Sequence, residues 1–236
     1  MMGPLRVGRR TGLFLALAAL APGCARVGDA SGGEPEGAAA PAAGAAEVEV
    51  EVRGVTGWYD LGDYRISGEV VNRLDVPVYD VELDVAFRDA AGAVVATDHA
   101  AAVLGRVEPG GTAPFVDMHY GAPAGIAGHT VTVAGWSREG RPPRRPVTIL
   151  SADLARGITG AVVTGRGRND SGRPLGGIKL VTSFRDRDGK VVGVFFDYPV
   201  LGSLQPGQTF DFTVETMDAT VADDAVRVQG EGTAGS

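Results

Sequence analysis

The chain has 236 residues, 22 Lys+Arg against 29 Asp+Glu, and a formal net charge of −7. An acidic surface argues against a nucleic-acid ligand and against electrostatic capture by anionic lipid. One cysteine allows no internal disulfide, so each folded unit has to be stable from its own core.

Arg6, Arg9 and Arg10 form a positive n-region, and Leu13–Ala21 is a short apolar run. Nine residues make about 13 Å of helix, well short of the ~30 Å hydrocarbon core, so the run is not a membrane span. Residues 1–23 are therefore expected to be an export signal. Ala21-Pro22-Gly23-Cys24 resembles a bacterial lipobox, in which the cysteine takes a diacylglyceryl group and becomes the first mature residue. Ala21 stands where that pattern usually has leucine. The alternative is plain secretory cleavage after Ala19-Leu20-Ala21, but Pro22 would then follow the scissile bond, where proline normally blocks cleavage. With Cys24 lipidated, the mature chain has 19 basic and 29 acidic residues, a net of −10. Acyl chains at about 0.8 kcal/mol per buried methylene would hold it on a bilayer.

Residues 24–46 are read as the anchor followed by a disordered spacer. From Ala25 on, the segment is Ala, Gly, Pro, Glu and Ser with almost no large apolar side chain, so burial cannot offset its ordering entropy.

The rest of the chain contains one unit twice. Gly68–Phe115 aligns with Gly165–Phe212 without a gap, 97 positions apart, and 17 of the 48 pairs are identical. They include Gly68/Gly165, Asn72/Asn169, Phe87-Arg88-Asp89/Phe184-Arg185-Asp186 and Pro109-Gly110/Pro206-Gly207. A self-match of this length implies a duplicated folding unit.

In chain order, Glu47–Val52 alternates with period two, as a half-buried strand does. Tyr64–Asn72 and Ala161–Asn169 follow as strands, each ending in the shared Asn before a Pro-bearing turn. Val78–Arg88 places Val81, Leu83, Val85 and Phe87 on one face, and Ile178, Leu180, Thr182 and Phe184 repeat that face. Asp89–Gly92 and Asp186–Gly189 are hairpin turns with glycine at positive φ. Returning strands start at Val94 and Val191, and strands at Thr112–Val116, Thr209–Val214, Thr130–Val133 and Val226–Val228 complete the units. No stretch has helical periodicity. Short strands with turns every 8–12 residues predict an all-β fold, two tandem immunoglobulin-like antiparallel β-sandwiches at 47–137 and 147–232, followed by a tail at 233–236. Residues 138–146, with three prolines and four arginines, are expected to be a stiff, solvated linker that keeps the sandwiches apart.

The order Gly-x-x-x-Asn, turn, alternating strand ending Phe-x-Asp-x-x-Gly-x-Val-Val, then Leu-x-x-Pro-Gly and a Phe-bearing strand resembles the FxLYD family in both repeats. The Leu-Tyr of that family's name is replaced, since Arg88 and Arg185 follow the Phe. The resemblance implies small immunoglobulin-like modules on bacterial envelope proteins, exposed and used in binding or scaffolding, with no catalytic residues.

Few residues suggest chemistry. Asp117 and His119 sit two apart on a strand and could be half of a metal site, but the second repeat has Val214 and Thr216 there. A strand end or a bulge turning Asp117 outward is the preferred reading. Asp186-Arg-Asp188-Gly189 lacks the further ligands of a calcium loop and reads as a turn. Gly165-Arg-Gly167 precedes no helix and is no phosphate loop. There is no Gly-x-Ser-x-Gly elbow. The chain is accordingly expected to be no enzyme, with no metal and no cofactor.

The aromatic residues are the contact candidates: Trp58 and Tyr59 in a Gly-bounded loop, Trp136 at the close of the first repeat, and Phe196 within Phe195-Phe196-Asp-Tyr198. Loop aromatics at a sandwich end can form a platform for a partner or ligand. Trp58 and Trp136 as caps on the core are the preferred alternative. Of Phe195 and Phe196, one should face inward and the other should be free for a contact. The expected role is a lipid-anchored envelope protein that binds or scaffolds another envelope protein. The alternatives are carbohydrate or small-ligand binding through the loop aromatics and, less favoured, a metal-dependent enzyme.

Overall fold

The structure, a computed structural model, describes residues 49–140, 142–157, 160–216 and 225–234. The proposed export signal, Cys24 and the spacer lie outside the described residues. Among the described residues there are fourteen strands and no helix. They are β1 (Val50–Asp60), β2 (Asp63–Asn72), β3 (Val78–Arg88), β4 (Val94–Ala101), β5 (Arg106–Val107), β6 (Thr112–His119) and β7 (Gly128–Ser137), followed by β8 (Arg144–Pro146), β9 (Thr148–Arg156), β10 (Ala161–Arg168), β11 (Leu175–Arg185), β12 (Val191–Leu204), β13 (Thr209–Thr216) and β14 (Ala225–Ala234).

The fold is all-β and its strand pairs are antiparallel, as the period-two pattern predicts. Four sheets form: β1-β2-β6; β3 flanked by β4, β5 and β7; β9-β10-β13; and β12-β11-β14-β8. Strand bounds recur at the 97-residue offset, since β3 and β11, β6 and β13, and β7 and β14 each start and stop that far apart. The arrangement is sandwich-like. Ile66 and Val70 of β2 and Phe115 of β6 share one core with Val81, Leu83, Val85 and Phe87 of β3. A second core gathers Val163, Ile178, Leu180, Phe184 and Phe212.

The residues shared by the two halves hold equivalent points. Asn72 is fully buried; its Nδ2 donates to the carbonyls of Val76, Val107 and Glu108, and its Oδ1 accepts from Leu74 N–H. Asn169 repeats this, donating to Arg173 and Leu204 carbonyls and accepting from Ser171 N–H. One amide thus satisfies a turn and the neighbouring strand end together. Gly68 and Gly165 make room for the shared phenylalanines: a Cβ would lie 2.7 Å from the Phe115 ring in one half and 2.5 Å from Phe212 in the other. The hairpin glycines Gly92 and Gly189 have φ of 84° and 77°. Asp89 Oδ1 accepts from Ala91 and Ala93 N–H, and Asp186 Oδ1 from Asp188 and Lys190 N–H, so both carboxylates close turns.

Two expectations differ from the structure. β1 runs on to Asp60, so Trp58 and Tyr59 lie on a strand, not in a loop. Two glycines before them serve inside that strand: Gly54, at φ 61°, sits in a bulge, and Gly57 admits the Tyr64 ring, 2.8 Å from where its Cβ would be. The proline-rich segment also does not keep the halves apart. Arg144–Pro146 is a strand paired with β14, and the outer face of the β1-β2-β6 sheet packs on the outer face of the β12-β11-β14-β8 sheet. Val181, Val191 and Val194 of the second half belong to the first half's core cluster. Ser67 Oγ donates to Val191 C=O at 2.7 Å, and Lys179 Nζ to Val103 C=O at 2.6 Å. Two buried glutamates join the halves. Glu69 pairs with Arg53 and, across the seam, with Arg185. Glu231 accepts from the Gly105 and Arg106 N–H groups and pairs with Arg144 at 2.6 Å.

Candidate functional site

The four aromatic candidates do not converge. Trp58 and Tyr59 are adjacent on β1 and point to opposite faces, as strand neighbours do. Trp58 is half-buried on the face that carries Thr56, whose hydroxyl donates to Val191 C=O across the seam. Trp136 lies seven residues along β7 from His129, about 23 Å at strand spacing. There it packs on the first core beneath the Arg138 guanidinium, 5.4 Å from its ring centroid, which agrees with the capping reading. Phe196 is on β12 in the second half, 54% exposed, with Lys179 Nζ 4.9 Å from its centroid and Tyr198 set edge-on to it. Its neighbour Phe195 turns inward against Phe184, so one of the pair faces the core and the other is exposed.

Tyr59 is the candidate that sits in a built surface. Its ring meets Tyr64 edge-on at 5.0 Å, and Tyr64 continues to Phe87 and Phe87 to His119, an aromatic stack that closes one end of the first core. The Tyr59 hydroxyl donates to Pro123 C=O at 2.7 Å and accepts from Ile126 N–H at 2.8 Å. That fixes the 120–127 loop against the β1–β2 hairpin. Asp63 Oδ1 accepts from Gly121 N–H, which brings exposed Tyr120 beside the hairpin tip. At the tip itself, Leu61 is fully exposed and has a φ of 51°. Leu61-Gly62 is a two-residue turn with both φ positive, a turn that favours Asn-Gly. Leucine there costs about 1 kcal/mol of backbone strain while leaving its side chain in water. Tyr59, Leu61 and Tyr120 together form an exposed apolar end. Sequence reading missed Leu61 and Tyr120; Leu before Gly in an otherwise ordinary two-residue turn was the available signal for the first.

Behind this end lies a polar group found only in the first half. Asp98, Asp117 and His119 occupy the positions of Phe195, Val214 and Thr216 in the second. His119 Nδ1 and Asp98 Oδ2 are 3.0 Å apart. Burial raises the Asp98 pKa, but hydrogen bonds from His119 and from His99 N–H outweigh it and leave it lowered. Asp117 goes the other way: burial first, then the Asp98 charge, pushes its carboxyl up, and its Oδ2 is buried without a hydrogen-bond partner. Asp117 is half-buried on the inner side of β6, not turned outward by a bulge. Among the described residues no group of three His, Cys, Asp or Glu could hold a metal ion. Burial also lowers the pKa of His129, whose ring faces the Tyr64 hydroxyl at 3.4 Å.

No family model matches this chain, and no curated protein matches it. Among solved structures, red sea bream transglutaminase is similar over 78% of this chain and 29% of its own length, at 9% identity and a TM-score of 0.24. The chain thus spans less than a third of that protein, and a likeness at this level supports no argument about activity.

Proposed function

We propose that this chain is a non-catalytic, lipid-anchored protein of the bacterial envelope that binds another envelope protein, built from two FxLYD-like units that arose by duplication. The anchor would be Cys24, with residues 25–46 as the tether. The observation that supports the binding role best is Leu61. An apolar side chain that is fully exposed, at a φ it disfavours, has two costs in the free protein. Covering it with a partner removes one of them, and Tyr59 and Tyr120 extend the same patch.

The test is crosslinking in cells followed by mass spectrometry, comparing wild type, Cys24→Ser and Leu61→Asn. The expected result is a reproducible envelope partner for wild type, depleted by Cys24→Ser and lost with Leu61→Asn. Leu61→Asn should meanwhile unfold at a higher temperature, because Asn accepts the turn conformation. No partner for wild type, or one retained in full by Leu61→Asn, would contradict the reading.

A further inference from the structure

The seam between the halves differs in charge from the rest of the molecule. Among the groups tied into it by hydrogen bonds, Arg53, Arg106, Arg144, Lys179, Arg185 and Arg227 are cationic, while the acids are Glu69, Glu108 and Glu231. A local excess of positive charge in a chain of net −7 needs a reason. The acids are already engaged: Glu69 by Arg53 and Arg185, Glu108 by Arg106, Glu231 by Arg144 and two backbone N–H groups.

Two cations are left without a carboxylate among the described residues, Lys179 and Arg227; Lys179 is held by the Val103 carbonyl and the Phe196 ring, which leaves Arg227. Its Nη1 donates to Thr112 Oγ1 at 2.5 Å, the one acceptor it reaches among the described residues. A guanidinium has five N–H donors in a planar fork that suits carboxylate or phosphate. Burial of part of the group, and the nearby Arg185, disfavour its charge, and Glu69 only partly offsets them. The side chain remains open to solvent and lines a cleft of about 340 Å³ between the 104–112 segment and β14. Leu104, Val147 and Ile149 give that cleft an apolar wall.

We propose that this cleft binds a small molecule with an oxyanion head and a short apolar body. The head is held by the Arg227 fork, and the body lies against Leu104, Val147 and Ile149. The site exists only because the halves pack together, since Thr112 and Leu104 come from one and Arg227 from the other. It is separate from the Tyr59–Leu61–Tyr120 end and does not depend on the binding role proposed for that end.

The test is calorimetric titration of the full chain with octanoate, octanol and inorganic phosphate. Octanoate should bind at one saturable site, more tightly than either octanol, which lacks the charged head, or phosphate, which lacks the body. Arg227→Gln should weaken octanoate by about tenfold or more, because a charge-assisted hydrogen bond is lost. Arg227→Lys, which keeps the charge without the fork, should fall between. Thermal unfolding of each variant without ligand should stay cooperative, which separates loss of binding from loss of fold. The proposal is overturned by no saturable octanoate binding, by octanol or phosphate binding as tightly, or by octanoate affinity unchanged in a folded Arg227→Gln.

Discussion

Glu69 and Arg185 stand 116 residues apart in sequence and form an ion pair across the seam, with Glu69 almost wholly buried between the two sheets. Burial raises the Glu69 pKa, but hydrogen bonds from Arg185 and Arg53 outweigh it and leave it below the ordinary glutamate value. A depressed folded pKa gives stability that is present above the ordinary glutamate value and lost as pH falls through the lower, folded one. Urea midpoints measured from neutral to acid pH should therefore decline in that window, and Glu69→Gln should flatten the decline while starting from a lower midpoint. At neutral pH, Arg185→Ala should cost about 3 kcal/mol, because it strips a partner from a buried carboxylate.

Asn72 and Asn169 make the same prediction twice. Each side chain bridges a turn to a strand end through buried hydrogen bonds. Asn72→Ala or Asn169→Ala leaves buried carbonyls without donors, and each should destabilise by about 3 kcal/mol in chemical denaturation. Asn→Asp should fail as badly, since it keeps the Oδ1 acceptor but loses the Nδ2 donor that the buried carbonyls need.

Each half also shows where the other is imperfect. Thr182 Oγ1 is buried without a partner at the core position that Val85 fills in the first half. Thr182→Val should stabilise by about 1 kcal/mol. Asp117 stands where the second half has Val214. Its folded pKa is raised, so stability falls as pH rises from the ordinary aspartate value through the raised folded one. Asp117→Val should raise the melting temperature at neutral pH, and the gain attributable to the removed charge should vanish in acid.

Gly165 tests the reason for the shared glycine. A Cβ there would lie 2.2 Å from the Ser151 carbonyl oxygen and 2.5 Å from the Phe212 ring, and the backbone contact cannot yield cheaply. Gly165→Ala should destabilise by about 2 kcal/mol. Gly68→Ala meets only side chains, led by Phe115, and should cost less.

Much of the fold was legible in one half at a time. Alternation gave the inward faces Val81–Phe87 and Ile178–Phe184, and the glycines at 92 and 189 gave the hairpins. The length of β1 was not legible, because Gly54 and Gly57 punctuate a strand that continues past a bulge and a close ring contact. The seam was hidden because period-two reasoning follows the face that looks inward. Its signal lies on the other face and only in the comparison of the halves. The outward residues of β3 include Glu82, Asp84 and Ala86, while their counterparts on β11 are Lys179, Val181 and Ser183. An acidic, exposed face has become one that packs. The contact surface was half legible: Tyr59 stands out by type, but the weight of Leu61 comes from its φ, which no composition reveals.

The two halves fold and hold together as one body through this seam. Both tryptophans, Trp58 and Trp136, lie in the first half, so their fluorescence reports that half, whereas far-ultraviolet circular dichroism reports both. Urea unfolding followed by the two signals should give one coincident transition in wild type and separate transitions in Glu69→Ala. Two resolved transitions in wild type, with fluorescence tracking only one of them, would mean that the halves are independent and that the seam contributes little.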